Sequence, residues 1–268
     1  MDKYVIFLIV LVSLIVLTFL LLETLVFFIV NDLSIPTITL SKDIKRVLVI
    51  YPHPDDEILI TGGFMKKHSK DREITWVVLS KGERGTPNAV LNENLKEIRA
   101  DEAKRVSELL KVKSFSHYDF KDNEMETQEE KLEKKVQQIV KDSNPDLIIT
   151  YDTAGLYGHP DHIITSEIVT KIAEEKNIKL WYATNAKRVL DMASLPEHMA
   201  KDPNFKDKRK YPNVKVFVGL EGSIAKSKGI SIYESQLQSF VSAYPIKWIP
   251  LPIYNLPMVY EYFYQVNE

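Results

Sequence analysis

The sequence predicts an α/β fold: a three-layer domain with a mostly parallel sheet, preceded by one N-terminal transmembrane helix. Three observations point there. Short β-rich runs are apolar throughout, amphipathic helical stretches lie between them, and a long uncharged run opens the chain. Strands without polar alternation are covered on both faces, as in parallel sheets with crossover helices.

The opening run comes first. Residues 4–22 carry no charge, and apolar residues resume over 25–30 after Glu23 and Thr24. Roughly 20 apolar helical residues cross the hydrocarbon core. A signal peptide has an apolar region of about 7–15 residues and a small-residue cleavage site; this run is longer, and no Ala-x-Ala follows it. The expectation is an uncleaved single-pass anchor over 4–30, a linker over 31–45 containing Pro36, and a folded domain over 46–268. Lys3 lies on one side of the span and Lys42, Lys45 and Arg46 on the other, a bias towards a cytoplasmic body.

Residues 46–51, 74–79 and 146–151 give the strongest strand signals, with weaker ones at 114–120, 180–184 and 214–220. Helical spacing covers 92–110, 128–141 and 162–176. In the first of these, Leu95, Ile98, Val106, Leu109 and Leu110 line one side, with Glu102 as the polar exception. Residues 191–212 break the alternation with Pro196, Pro203 and Pro212 and the basic cluster Lys206, Lys208, Arg209 and Lys210. Such charge runs are generally solvated surface; the sharper reading is a lid, or a platform for an anionic substrate or headgroup. The aromatic tail 248–264 either packs on the domain or touches lipid.

Charged residues make up 27% and apolar residues 45%, ordinary for a globular body with one hydrophobic appendage. Beyond residue 30 there are 34 basic and 35 acidic residues, so no global field attracts nucleic acid. Cysteine is absent. Any metal must therefore sit on His, Asp or Glu.

Open parallel sheets place their sites beyond the carboxyl ends of the strands. Two of the strongest strands end in polar clusters, Pro52-His53-Pro54-Asp55-Asp56-Glu57 and, after a Gly-containing loop, His159-Pro160-Asp161-His162. Three carboxylates and an imidazole within five residues are costly to gather unless a cation compensates them. Zinc suits this donor set. His53 and Asp56 can aim at one point from a turn, and His162 is the natural third ligand. Asp55 then remains beside the metal as a base for the attacking water, and His159 faces the opposite side of a reacting carbonyl. A lone His-Pro-Asp is commonly only a turn; the pair at two strand ends is what carries the metal reading. His68, His117 and His198 lack such company, and His68, among Lys66, Lys67 and Lys70, reads as a solvated surface residue.

These two clusters resemble the signatures of the PIG-L/LmbE-like family of zinc-dependent de-N-acetylases. Gly82-Glu83-Arg84-Gly85 and Arg99-x-x-Glu102 also resemble that family's pattern. The resemblance covers about 46–176, and Pro52 departs from it, since Ala is more usual there. It implies a Rossmann-like fold, Zn2+ (or another divalent metal such as Fe2+) on His53, Asp56 and His162, Asp55 as general base, His159 at the tetrahedral intermediate and Asp161 orienting His159. It also implies that Arg84 or Arg99 holds substrate; the bland alternative for Arg99 and Glu102 is a surface ion pair. The implied reaction is hydrolysis of an N-acetyl group from a glucosamine derivative, with a lipid-linked substrate such as N-acetylglucosaminyl-phosphatidylinositol suggested by the anchor. Another metal-dependent amidase or a phosphoesterase, and a non-catalytic membrane-tethered binding module, are the competing classes. Oligomeric state is not encoded in these features.

Overall fold

Eight strands among the described residues form a single sheet in the computed structural model, which describes residues 2–85, 93–193, 200–201, 203–244, 246 and 249–266. In chain order the elements are α1 (Lys3–Val30), β1 (Thr37–Ile38), β2 (Arg46–Tyr51), α2 (Asp56–Ile60), α3 (Gly62–His68), β3 (Glu73–Ser80), α4 (Glu93–Leu110), β4 (Ser114–Phe120), α5 (Glu129–Ser143), β5 (Leu147–Thr150), α6 (Gly155–Gly158) and α7 (Pro160–Glu175). They continue with β6 (Lys179–Thr184), α8 (Lys187–Met192), α9 (Phe205–Lys208), β7 (Val214–Phe217), α10 (Gly219–Ile232), α11 (Leu237–Ala243), α12 (Leu251–Asn255) and β8 (Tyr260–Val266).

The sheet order is β1-β7-β8-β6-β5-β2-β3-β4, and β8 alone among these strands runs against the rest. Burial on both faces explains the unbroken apolar runs. Val47, Val49 and Tyr51 of β2 join one core layer, while Leu48 and Ile50 join the other. The first layer is covered by α3, α4 and α10 through Phe64, Val106 and Ile230; the second by α5 and α7 through Val136 and Ile168. The three-layer α/β arrangement is the predicted one. The chain leaves β2 towards β3 on one side and later enters β5 on the other, so a topological switch point lies between the carboxyl ends of β2 and β5. Such a crevice is where open α/β sheets bind ligands.

Several sequence expectations change. Helix α4 turns Ile98 outward, 49% exposed, and buries Arg99 (3%) and Glu102 (1%) instead; its predicted start at residue 92 lies outside the described residues. Arg99 and Glu102 are therefore not a surface ion pair: Glu102 accepts from the backbone N–H and hydroxyl of Ser235, and Arg99 donates to the Gly82 and Pro54 carbonyls. The predicted strand over 214–220 stops at Phe217, because Gly219 at φ +68° opens α10. Within 31–45, Thr37 and Ile38 pair with Lys215 and Val216. The aromatic tail supplies β8, inserted antiparallel between β6 and β7, while Trp248 lies outside the described residues. In 191–212 the solvated reading fails for Phe205 and Arg209, which are buried. Lys210 N–H donates to Asp152 Oδ2 at 2.6 Å, fastening that segment to the rim; Pro196 and His198 lie outside the described residues.

His68 is the clearest reversal. It is 6% exposed and packs on the Phe64 ring at 4.6 Å, because α3 presents it to the core while its lysine neighbours face out. Burial depresses both His68 and His117 to about 4. At these two residues the folded chain thus binds fewer protons than the unfolded one, whose histidines titrate near ~6.5. Their stabilisation is complete above about pH 6.5 and is lost as pH falls through about 4. Chelator-treated protein is expected to lose Tm across this window, and a His68→Leu/His117→Gln variant to lose less. Superimposable Tm–pH curves would contradict this.

Candidate metal centre

The rim beyond β2 and β5 holds the candidate site. Strand β2 runs into Pro52 and His53, and the chain then turns sharply through Asp55, which adopts φ +87° at the start of α2. Asp tolerates this left-handed conformation better than most residues, and such strain clusters at functional sites. The turn directs the His53 N–H onto Asp56 Oδ2 at 2.9 Å. From β5 the chain passes Gly155, Leu156 and Gly158, all at positive φ, before His159 starts α7 with Pro160 in its first turn. Proline at that position lacks an N–H the helix could not use. His162, one turn in, faces the rim.

Donor atoms of three residues from these two stretches converge. His53 Nδ1 lies 3.2 Å from His162 Nε2 and 3.5 Å from Asp56 Oδ2, and His162 Nε2 lies 3.3 Å from Asp56 Oδ1. A tetrahedral zinc about 2.0–2.1 Å from its ligands holds them ~3.3–3.4 Å apart, so this trio fits such an ion. His159 also lies close, its ring 4.8 Å from those of His53 and His162. Burial holds His162 and His159 down near about 3, which leaves both imidazoles neutral, the form that ligates metal. Burial would raise Asp56, but His162 and His53 outweigh it and hold its carboxyl at about 2. Tyr151 orients both partners: its hydroxyl donates to Asp56 Oδ1 at 3.0 Å and its ring stacks on His162 at 4.5 Å.

The far side of His53 carries Asp122 Oδ1 and Asp161 Oδ2, each 3.1 Å from Nε2. A ligating histidine usually donates its other N–H to a carboxylate. Burial opposes charge on this imidazole, but Asp122, Asp161 and Asp56 outweigh it and hold His53 well above its ordinary range, so an ion at Nδ1 would take the place of a proton. Asp161 is itself fixed by the N–H groups of Asn123 and Met125. Its carboxylate therefore positions His53, not His159 as expected from sequence; what reaches His159 is the Asp161 backbone N–H, donating to Nδ1 at 3.2 Å. With Nδ1 accepting, neutral His159 carries its proton on Nε2, so it is a donor without being protonated further.

Burial pushes Asp55 up to about 7 against the pull of Arg99, whose Nη2 lies 3.3 Å from Asp55 Oδ2. Arg99 also donates to the carbonyls of Gly82 (2.9 Å) and Pro54 (2.5 Å). A methyl group at Gly85 would lie 1.9 Å from Arg99 Nη1, and one at Gly82 2.4 Å. The two glycines thus make room for a guanidinium that fixes the Asp55 turn. Gly85→Ala is expected to lower turnover by about 10–10²-fold through misplacement of Asp55, with metal content retained; unchanged kinetics would contradict the cradle. Arg84 lies partly exposed at the mouth, donating to Glu124 at 2.5 Å. Glu57, the remaining carboxylate of the first cluster, points away and accepts from the Tyr233 hydroxyl at 2.8 Å.

Sequence reasoning missed Asp122 and Tyr151. Asp122 follows the carboxyl end of β4, so the rule that located the two clusters also pointed to it; Tyr151 was read only as the last residue of a strand.

Residues 48–173 match the sequence family described as GlcNAc-PI de-N-acetylase. The probable N-acetyl-alpha-D-glucosaminyl L-malate deacetylase 2 of Bacillus anthracis is 34% identical over 137 residues, covering 48% of this chain and 60% of that protein. The diacetylchitobiose deacetylase of Thermococcus kodakarensis is 34% identical over 124 residues, covering 45% and 46%. The chain thus spans about half to three fifths of the length of these relatives. Among solved structures, the N,N'-diacetylchitobiose deacetylase of Pyrococcus horikoshii superposes with a TM-score of 0.52 at 25% identity, over 73% of this chain and 72% of that one. A deacetylase of the teicoplanin biosynthesis pathway shares the fold at 18% identity, with a TM-score of 0.54 over 73% and 86%.

Proposed function

We propose, because residues 48–173 match the family described as GlcNAc-PI de-N-acetylase, that this chain is a metal-dependent hydrolase that removes the acetyl group from an N-acetylglucosamine derivative. The observation that carries the reading is the convergence of His53 Nδ1, His162 Nε2 and the Asp56 carboxylate at zinc-ligand spacing. These three residues would hold the ion. A bound Zn2+ supplies Lewis acidity and makes hydroxide available near neutral pH.

The chain's own groups do the rest. Asp55, beside the ligands but directed to Arg99, takes the proton of the attacking water as a general base. His159 Nε2–H donates to the acetamide oxygen as negative charge develops there, a hydrogen bond that strengthens towards the transition state. The C–N bond then breaks, and Asp55 in its protonated form returns a proton to the leaving amine. Acetate and a free amino sugar result. Asp161 and Asp122 hold His53, and Arg84 at the mouth contacts polar groups of the sugar derivative.

An alternative ion position on His53, Asp122 and Asp161 also has donor atoms close together. It is disfavoured because Asp161 already accepts from two backbone N–H groups, the pattern of a carboxylate that orients a ligand.

Helix α1 serves as a membrane anchor, and holding the site near the bilayer raises its effective concentration towards lipid-linked substrates such as N-acetylglucosaminyl-phosphatidylinositol. A panel of water-soluble and lipid-linked N-acetylglucosaminides, scored for acetate, tests the reading. Acetate release from at least one class supports it; phosphate release without acetate, or no product with metal bound, removes it.

A further inference from the structure

We propose that α1 is a permanent part of the fold and seats the domain directly on the bilayer, with the α8 face against phospholipid headgroups. This rests on reading the first part of α1 as the membrane span. Residues 3–21 are exposed along their whole length; about 19 residues at 1.5 Å each cover ~28 Å, close to the ~30 Å hydrocarbon core. From Leu22 the same helix enters the protein. Val26 and Val30 are 0% and 1% exposed and belong to the core cluster that also holds Ile249 and Tyr254.

The end of the helix is fastened by polar contacts as well. Arg188 Nη1 donates to the Phe28 carbonyl at 2.6 Å, and Asn31 Nδ2 donates to the Pro257 carbonyl at 2.7 Å. Lys215 Nζ then holds the Asp32 carbonyl at 2.7 Å. No spacer therefore separates the span from the body. A signal sequence is removed, but removing this helix would take buried side chains out of the core.

The contact also fixes which face meets the lipid. Helix α8 leaves the carboxyl end of β6, the strand beside β5, and lies against the end of α1. Between them is a cleft of about 370 Å³ whose lining includes Ile29 and Met192 and sets Lys187 and Arg188 beside the acidic Asp32 and Asp191, with Lys187 paired to Asp191 at 2.6 Å. A charge-balanced polar rim directly beside a span, with an exposed apolar Met192, suits the headgroup layer.

The absence of cysteine makes single-site labelling simple. The full chain, carrying a fluorophore at Met192→Cys or at exposed Lys134→Cys on α5, is reconstituted into phosphatidylcholine/phosphatidylserine vesicles containing headgroup nitroxide lipid. Quenching at 192 is expected to exceed that at 134 by about threefold or more, and a flexible Gly/Ser insertion between residues 21 and 22 is expected to abolish the difference. Equal quenching at the two sites, or a difference that survives the insertion, overturns the seating. Release of the chain by alkaline carbonate overturns the span itself, and neither readout depends on deacetylase activity.

Discussion

Asp55→Asn is expected to lower kcat by about 10²–10⁴-fold, the usual scale for a general base, while metal content stays at the wild-type level. Asn is among the few residues that, like Asp, accept a left-handed backbone, so the turn at φ +87° should persist and His53 and Asp56 should keep their places. The amide still fills the space beside Arg99 but cannot take a proton. Metal analysis alongside steady-state kinetics checks this. Parallel loss of metal and turnover would show that Asp55 is a ligand and not the base.

His162→Ala is expected to remove the metal and, with it, measurable acetate release. Its Nε2 lies 3.2 Å from His53 Nδ1 and 3.3 Å from Asp56 Oδ1, so its loss leaves two protein donors where hydrolytic zinc sites use three. Removing groups that merely orient ligands already costs 10–100-fold in affinity; loss of a ligand is expected to exceed that. The stacking partner Tyr151 should keep the backbone in place, and a circular dichroism spectrum like that of the wild type would show it. Full metal stoichiometry in this variant would take His162 out of the ligand set.

The sheet and the meeting of His53, Asp56 and His162 were legible because both rest on short-range patterns. Unbroken apolar runs mark strands buried on two faces, and polar clusters at two strand ends mark one rim. What the sequence hid depends on tertiary partners. Helical periodicity favoured Ile98 as an inward residue, but Asp55 and two loop carbonyls recruit Arg99 to that side, and the space left by Gly82 and Gly85 admits it. His68 looked solvated because its neighbours are lysines, although the helix turns it onto Phe64. Asp122 follows a strand end as the two clusters do, but its contact with His53 appears only once β4 is placed on the same sheet beside β3. The role of Asp161 in holding His53 arises only when residues far apart in the chain meet.

Titration of the chelator-stripped full chain with zinc, counting bound ions and released acetate together, tests the central claim most directly. Both are predicted to rise in step and saturate at one ion per chain, and neither to rise in a His53→Ala/His162→Ala chain. Full acetate release by the stripped protein, or undiminished zinc uptake by the double variant, would contradict the account.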